Sequence, residues 1–119
     1  MARMASLDGA FAEWLLDRST LVLECARSEI VRRAAGAEQR ARTERALDAS
    51  NCARLPDHYH ASIHLPLLVH AAVAGDDLPA VSLAAACTLL WAGAELYDDL
   101  TDGALFLFTY LSFTCRSHV

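Results

Sequence analysis

The sequence contains no lysine, and from Leu55 onward it has one basic residue, Arg116, against seven acids. Up to Arg54 nine arginines face eight acids, a balance of +1, so the second part carries −6 and sets the net charge of −5. An acidic half with one cation does not hold nucleic-acid phosphates, which excludes nucleic-acid binding as an expectation. A diphosphate could be held there only through metal ions or through bases supplied from elsewhere. Glycine and proline are scarce, at five and three. There is no CxxC pair, and Cys25, Cys52, Cys87 and Cys115 are far apart, so they read as reduced, small core-lining residues. No unbroken apolar run reaches about 18 residues, so no transmembrane segment is expected. The opening Met1-Ala2-Arg3-Met4 lacks the apolar core of a signal peptide, which makes a cytoplasmic location the expectation. Gly-x-Ser-x-Gly, P-loop and Glu-x-x-His patterns are also missing.

What the sequence does have is apolar, alanine-rich helix former. Hydrophobic residues make up 55% and alanine about a fifth of the chain, enough for one all-α core. Phe11, Trp14, Leu15, Leu21, Val22, Cys25 and Ile30 recur at helical spacing and predict a first helix over about 7–35, closed by Gly36. A more polar helix is expected over 37–49, with Arg40 and Glu44 one turn apart. Residues 48–62 read as an irregular connection. Pro66 then marks an early position of a helix ending near Ala74, with Gly75 as its stop. Asp76 or Asp77 caps a last long helix over about 78–101, and Asp102-Gly103 is its stop signal. This sets a domain of residues 1–103 followed by an apolar tail, 104–119, whose Phe-Thr-Tyr-Leu-Ser-Phe run suits helix or strand.

The chemistry is concentrated at the end of that long helix. Asp98, Asp99 and Asp102 lie within five residues after a stretch from Leu78 that is nearly free of charge, and Glu95 precedes them by one turn. On a helix Asp98 and Asp102 stand one turn apart, and like charges so stacked repel unless a cation arrives. Carboxylates at this spacing suit Mg²⁺, which takes one or two of them and completes its shell with water and phosphate oxygens. Against this stands the plain reading of a solvated acidic helix end. A second cluster, Asp57, His58, His60 and His64, raises zinc as a lesser alternative.

Asp98-Asp99-Leu100-Thr101-Asp102 resembles the first aspartate-rich motif of the polyprenyl diphosphate synthases, a family of the class I isoprenoid synthases. The small-residue run Leu83 to Glu95 is similar to the helix leading into that motif, and Leu65-Pro66-Leu67-Leu68 resembles the family's Arg-Pro-Leu-Leu helix start. The resemblance implies a partial helical bundle of the isoprenoid (terpenoid) synthase type. It also implies Mg²⁺-dependent prenyl transfer between an allylic diphosphate and isopentenyl diphosphate. Asp98, Asp99 and Asp102 become the catalytic residues, with Asp98 and Asp102 the direct Mg²⁺ ligands. Gly93 and Ala94, one turn before the motif, become the residues that leave room for a prenyl tail. The family's basic diphosphate-binding stretch corresponds to Ala61, Ser62, Ile63, His64 and Leu65, where His64 is the candidate substrate contact. The second aspartate motif and the Arg-rich segment of that family have no counterpart in these residues. The chain is therefore expected to form one wall of a cavity, to have little activity alone, and to self-associate as that family does. A non-catalytic helical interaction protein with a vestigial Asp motif is the alternative, and a terpene-cyclase-like piece ranks third.

Overall fold

The computed structural model describes the backbone of residues 2–117. It also describes the side chains of residues 8–103, 107 and 110–112. Among the described residues there is no strand. Five α-helices follow one another: α1 (Ala2–Arg33), α2 (Ala37–Ala49), α3 (Asn51–Arg54), α4 (Ala61–Ala74) and α5 (Val81–Ser117), with a 3₁₀ turn at Leu78–Ala80 before α5. The all-α expectation is met. The bounds of α2 agree with the sequence reading, and Gly75 closes α4 in the left-handed conformation (φ 81°), where a side chain would be strained.

Helices α1, α4 and α5 form the body, with α2 and α3 lying across one end. Its core is Val22, Leu23, Ala26 and Ile30 from α1, Leu47 from α2, Cys52 from α3, Ile63 and Leu67 from α4, and a row of alanines from α5. That row, Ala84, Ala85 and Ala92 with buried Thr88, lets α1 and α4 approach α5 closely. The Thr88 hydroxyl donates to the Ala84 carbonyl, so no polar atom is stranded. Of the cysteines, Cys52 is buried, while Cys25 and Cys87 are half-buried and free; the Cys115 side chain lies outside the described ones.

Three sequence expectations are corrected. Helix α4 starts at Ala61, five residues before Pro66, because a core side chain caps it (below) and Pro66 becomes an internal residue. The stop expected at Asp102-Gly103 does not operate: α5 runs unbroken through Gly103, so the 1–103 boundary falls inside one helix and the 104–117 backbone is helical. One helical glycine costs only about 1 kcal/mol, too little to end a helix that Ala104 and Leu105, both strong formers, carry on. The third is the 48–62 connection, read as irregular, which contains α3 (Asn51–Arg54). Residues 78–103 have the length and apolarity of a helix that could cross a bilayer, and Ala84, Ala85, Thr88 and Ala92 within them belong to the core.

At 37 residues α5 is about 55 Å long, and it outruns the body. The molecule measures 70 × 42 × 23 Å, with a radius of gyration of 19.4 Å where a compact chain of this length has about 13–14 Å. Every described side chain from Leu96 onward is exposed. The helix is also inverted in pattern. Its small residues face inward, while Leu83, Leu90 and Trp91 face solvent at 59%, 76% and 57% exposure.

Candidate functional site

The four acids of α5 continue its alanine face. Thr88, Ala92, Glu95, Asp99 and Asp102 succeed one another at three- and four-residue steps, so the stripe that packs in the body turns acidic where the body ends. Asp98, Asp99 and Asp102 are exposed, and Glu95 is half-buried. None of the four is in an ion pair among the described residues. Elsewhere Asp17 and Asp77 pair with Arg18, Asp48 with Arg27, Glu29 with Arg32 and Arg33, and Glu38 with Arg42, while Asp8, Glu13, Glu24, Glu44 and Asp76 form no ion pair among the described residues. Asp98 and Asp102 do stand one turn apart, as expected. However, no group of three His, Cys, Asp or Glu side chains among the described residues is placed to hold a metal ion together. No second helix faces the motif, because α5 has left the body there.

The residues expected to line a prenyl tail are split between faces. Gly93 borders a groove of about 370 Å³ between α1, α2 and α5, floored by Ile30, Leu47, Leu89, Ala92 and Leu96. Ala94 is exposed, one turn below Asp98 and away from that groove. The cavity that shares the aspartates' side is smaller, about 240 Å³, and is lined by Asn51, Cys52, Tyr59, His60, Trp91 and Glu95. Sequence reasoning missed Tyr59 and Trp91 as site residues. The available signal was the seven-residue interval from Trp91 to Asp98, which puts them on one helix face.

His64 is repositioned most. It is fully buried, and the groups that hold it come from two helices. Its Nδ1 accepts the His60 backbone N–H at 2.9 Å, which fixes the proton on Nε2. Nε2–H points at the Leu15 carbonyl (3.0 Å) and the Ser19 hydroxyl (3.1 Å). Trp14 and Tyr59 pack on the ring, each with centroids 5.6 Å away. Burial pushes its pKa below the ordinary histidine value. A neutral imidazole with both nitrogens engaged offers nothing to a diphosphate, so the substrate-contact expectation gives way to a structural role. The same tautomer rules out Ser19–His64 as a nucleophile–base pair, since Nε2 already holds a proton. The zinc alternative also fails to assemble: His58 is exposed and bonded to Asp57 at 2.9 Å, while His60 Nε2 reaches the Leu55 carbonyl.

The second feature not visible in the sequence joins α1 to the start of α5. Asp76 Oδ1 accepts the Leu78 N–H at 3.1 Å and so supplies the cap. Asp77, read as an alternative cap, instead takes a two-pronged contact from Arg18, Nε to Oδ2 at 2.5 Å and Nη2 to Oδ1 at 3.2 Å. The Trp14 indole N–H donates to Asp77 Oδ2 at 3.1 Å. The Arg18 hydrogen bond, aided by Trp14, holds the Asp77 pKa below the usual carboxylate range despite burial.

No family model matches this chain, and neither a curated protein nor a solved structure is significantly similar to it.

Proposed function

We propose that the chain is one wall of an isoprenoid-synthase-like helical bundle that handles prenyl diphosphates with Mg²⁺, and that it has little prenyltransferase activity by itself. One observation carries this reading. Among the described residues Asp98, Asp99, Asp102 and Glu95 gather on one side of a helix with no ion pair to any of them, whereas Asp17, Glu29, Glu38, Asp48 and Asp77 pair with arginine. Such an arrangement is destabilising on its own and relieved by a cation. The donor chemistry fits Mg²⁺, with Asp98 and Asp102 as its carboxylates and water or diphosphate oxygens as the remainder. When bound, the metal would supply Lewis-acid stabilisation of a departing diphosphate. The chain's own residues would hold it in place, with Asp99 a weaker ligand and with Trp91 and Tyr59 offering an apolar wall to what the diphosphate carries.

Calorimetry with Mg²⁺, with and without pyrophosphate, tests this. Binding should be weak with the metal alone, stronger with both, and lost in Asp98→Asn/Asp102→Asn. Equal heats in wild type and variant would remove the metal site. A second reading, a non-catalytic interaction protein or self-associating subunit, is favoured by the large apolar side chains of α4 and α5 that face solvent, including Val69, Val73, Leu83 and Leu90. Sedimentation as a sharp monomer that binds no hydrophobic dye would count against it.

A further inference from the structure

The uncharged side of α4 and α5 is their outer side. Helix α4 contains no Asp, Glu, Lys or Arg, and neither does α5 before Glu95. Seen down α5, Glu95, Asp98, Asp99 and Asp102 fall within an arc of about 100°, which overlaps the arc of Ala84, Thr88 and Ala92 in the core. Leu83, Leu90 and Tyr97, seven residues apart, run along the opposite side and are exposed. A surface helix in water turns its charge away from the body. Helix α5 turns its charge to the body's side and its leucines away. The outer side of α4 continues this face, because Leu65, Val69 and Val73 line with Leu83 and Cys87 a cleft of about 630 Å³ that no acid or arginine borders. The polar side chains in it are Ser62 and His70, and the His70 ring is bonded to the Asp76 carbonyl. Charged groups stand at the edges of the face: Asp76 in the turn before α5, Asp98 one turn past Ala94, and Glu29, Arg32 and Arg33 of α1 beside Ser82 and Ala86.

We propose that this face lies on a lipid bilayer, with α4 and α5 in the plane of the interface and the charged helix α1 on the water side. The packing pattern argues for lipid over a second copy. In water the large apolar side chains are the ones most often buried. Helices in lipid pack through small residues and leave their large ones to the acyl chains. Helix α5 follows the second pattern, with alanines and Thr88 inside and leucines outside. The chain lies on the bilayer rather than across it, since a span over 78–103 would draw Glu95, Asp98, Asp99 and Asp102 into hydrocarbon. The uncharged stretch from Leu78 to Ala94 is about 25 Å of helix, short of the ~30 Å hydrocarbon core. In-plane helices bind through apolar area plus any attraction to anionic lipid. With a net charge of −5, and with Arg32 and Arg33 held by Glu29, that attraction is missing here, so neutral lipid is the target. The inference does not rest on the diphosphate reading, because the acids point away from the lipid.

The test is flotation of the chain with phosphatidylcholine vesicles, and with vesicles that also contain phosphatidylserine, at low and high salt. The chain should float with the neutral vesicles, equally well in high salt, and no better with phosphatidylserine present. Leu90→Arg and Val73→Arg should each lower the partition onto vesicles about tenfold. Both sites are largely exposed, at 76% and 84%, so circular dichroism should show wild-type helix content. Val31→Arg, exposed on α1 beside the start of α2, should float as wild type does. The Leu90→Arg protein should keep its heat with Mg²⁺ and pyrophosphate, which separates failure of this face from failure of the metal site. Absence of flotation overturns the proposal, as does flotation that ignores both face variants or requires phosphatidylserine. So does a tight dimer, split by Leu90→Arg, that stays off the vesicles; that result would assign the face to a second copy.

Discussion

Replacing Asp77 with asparagine should destabilise the fold by about 2 kcal/mol. Asp77 is 8% exposed and receives three hydrogen bonds, two from Arg18 and one from Trp14. Removing one partner of a buried ion pair costs about 3–5 kcal/mol, because the other charge is left without compensation. Here the Arg18 side chain keeps 20% of its surface in water and has Asp17 as a second carboxylate, so the cost falls below that range, to about 2 kcal/mol. Urea denaturation at pH 7, followed by tryptophan fluorescence, reads the difference directly. The pH dependence provides an independent check. The Asp77 pKa is depressed in the folded state, so its stabilisation is complete above the unfolded value of about 3.9 and is lost as pH falls through the folded one. The gap between wild type and Asp77→Asn should therefore be constant near neutrality and close only in acid. Replacing both partners, as Arg18→Met/Asp77→Leu, should recover much of the loss. A single variant within about 0.5 kcal/mol of wild type would refute the reasoning and class the pair with ordinary surface ion pairs.

Burial holds the folded His64 pKa down, so the unfolded chain takes up a proton first. Its stabilising contribution should be complete above about pH 6.5 and decline below it; His64→Gln should flatten that part of the thermal-melting profile, and an unchanged slope would refute the assignment. Leu67→Ala, at a fully buried position, should cost about 2–5 kcal/mol by denaturation, whereas Val73→Ala, 84% exposed, should cost under about 0.5 kcal/mol.

Local punctuation was legible in the sequence where it acts alone. Gly75 closes α4 as expected, while Gly36, read as the stop of α1, lies in the same break but serves as the N-cap of α2. Asp102-Gly103 carries the same signal without a turn to make, and the helix passes through it. The site residues divide on the same principle. Helical spacing was enough to place Asp98 one turn from Asp102. It was not enough to show that α5 leaves the body near Leu96, which depends on where the other helices end. The contacts of His64 and Asp77 were not legible because their partners lie far off in the chain, Leu15 and Ser19 for one and Trp14 and Arg18 for the other. A histidine near a proline-containing helix start looks the same in sequence whether it faces solvent or the core.

The imidazole of His64 also bears on the order in which the fold assembles. Helix starts leave backbone N–H groups without partners, and most chains satisfy them locally. Here the N–H of His60 at the head of α4 is bonded by a ring that α1 holds in place through the Leu15 carbonyl and the Ser19 hydroxyl. The first turn of α4 therefore has its full stability only after α1 has docked, and undocking α1 releases that turn as well. The two helices, more than 25 residues apart in the chain, should form and open as one cooperative unit. Amides of α1 and of the first turn of α4 should then exchange with solvent at a shared rate.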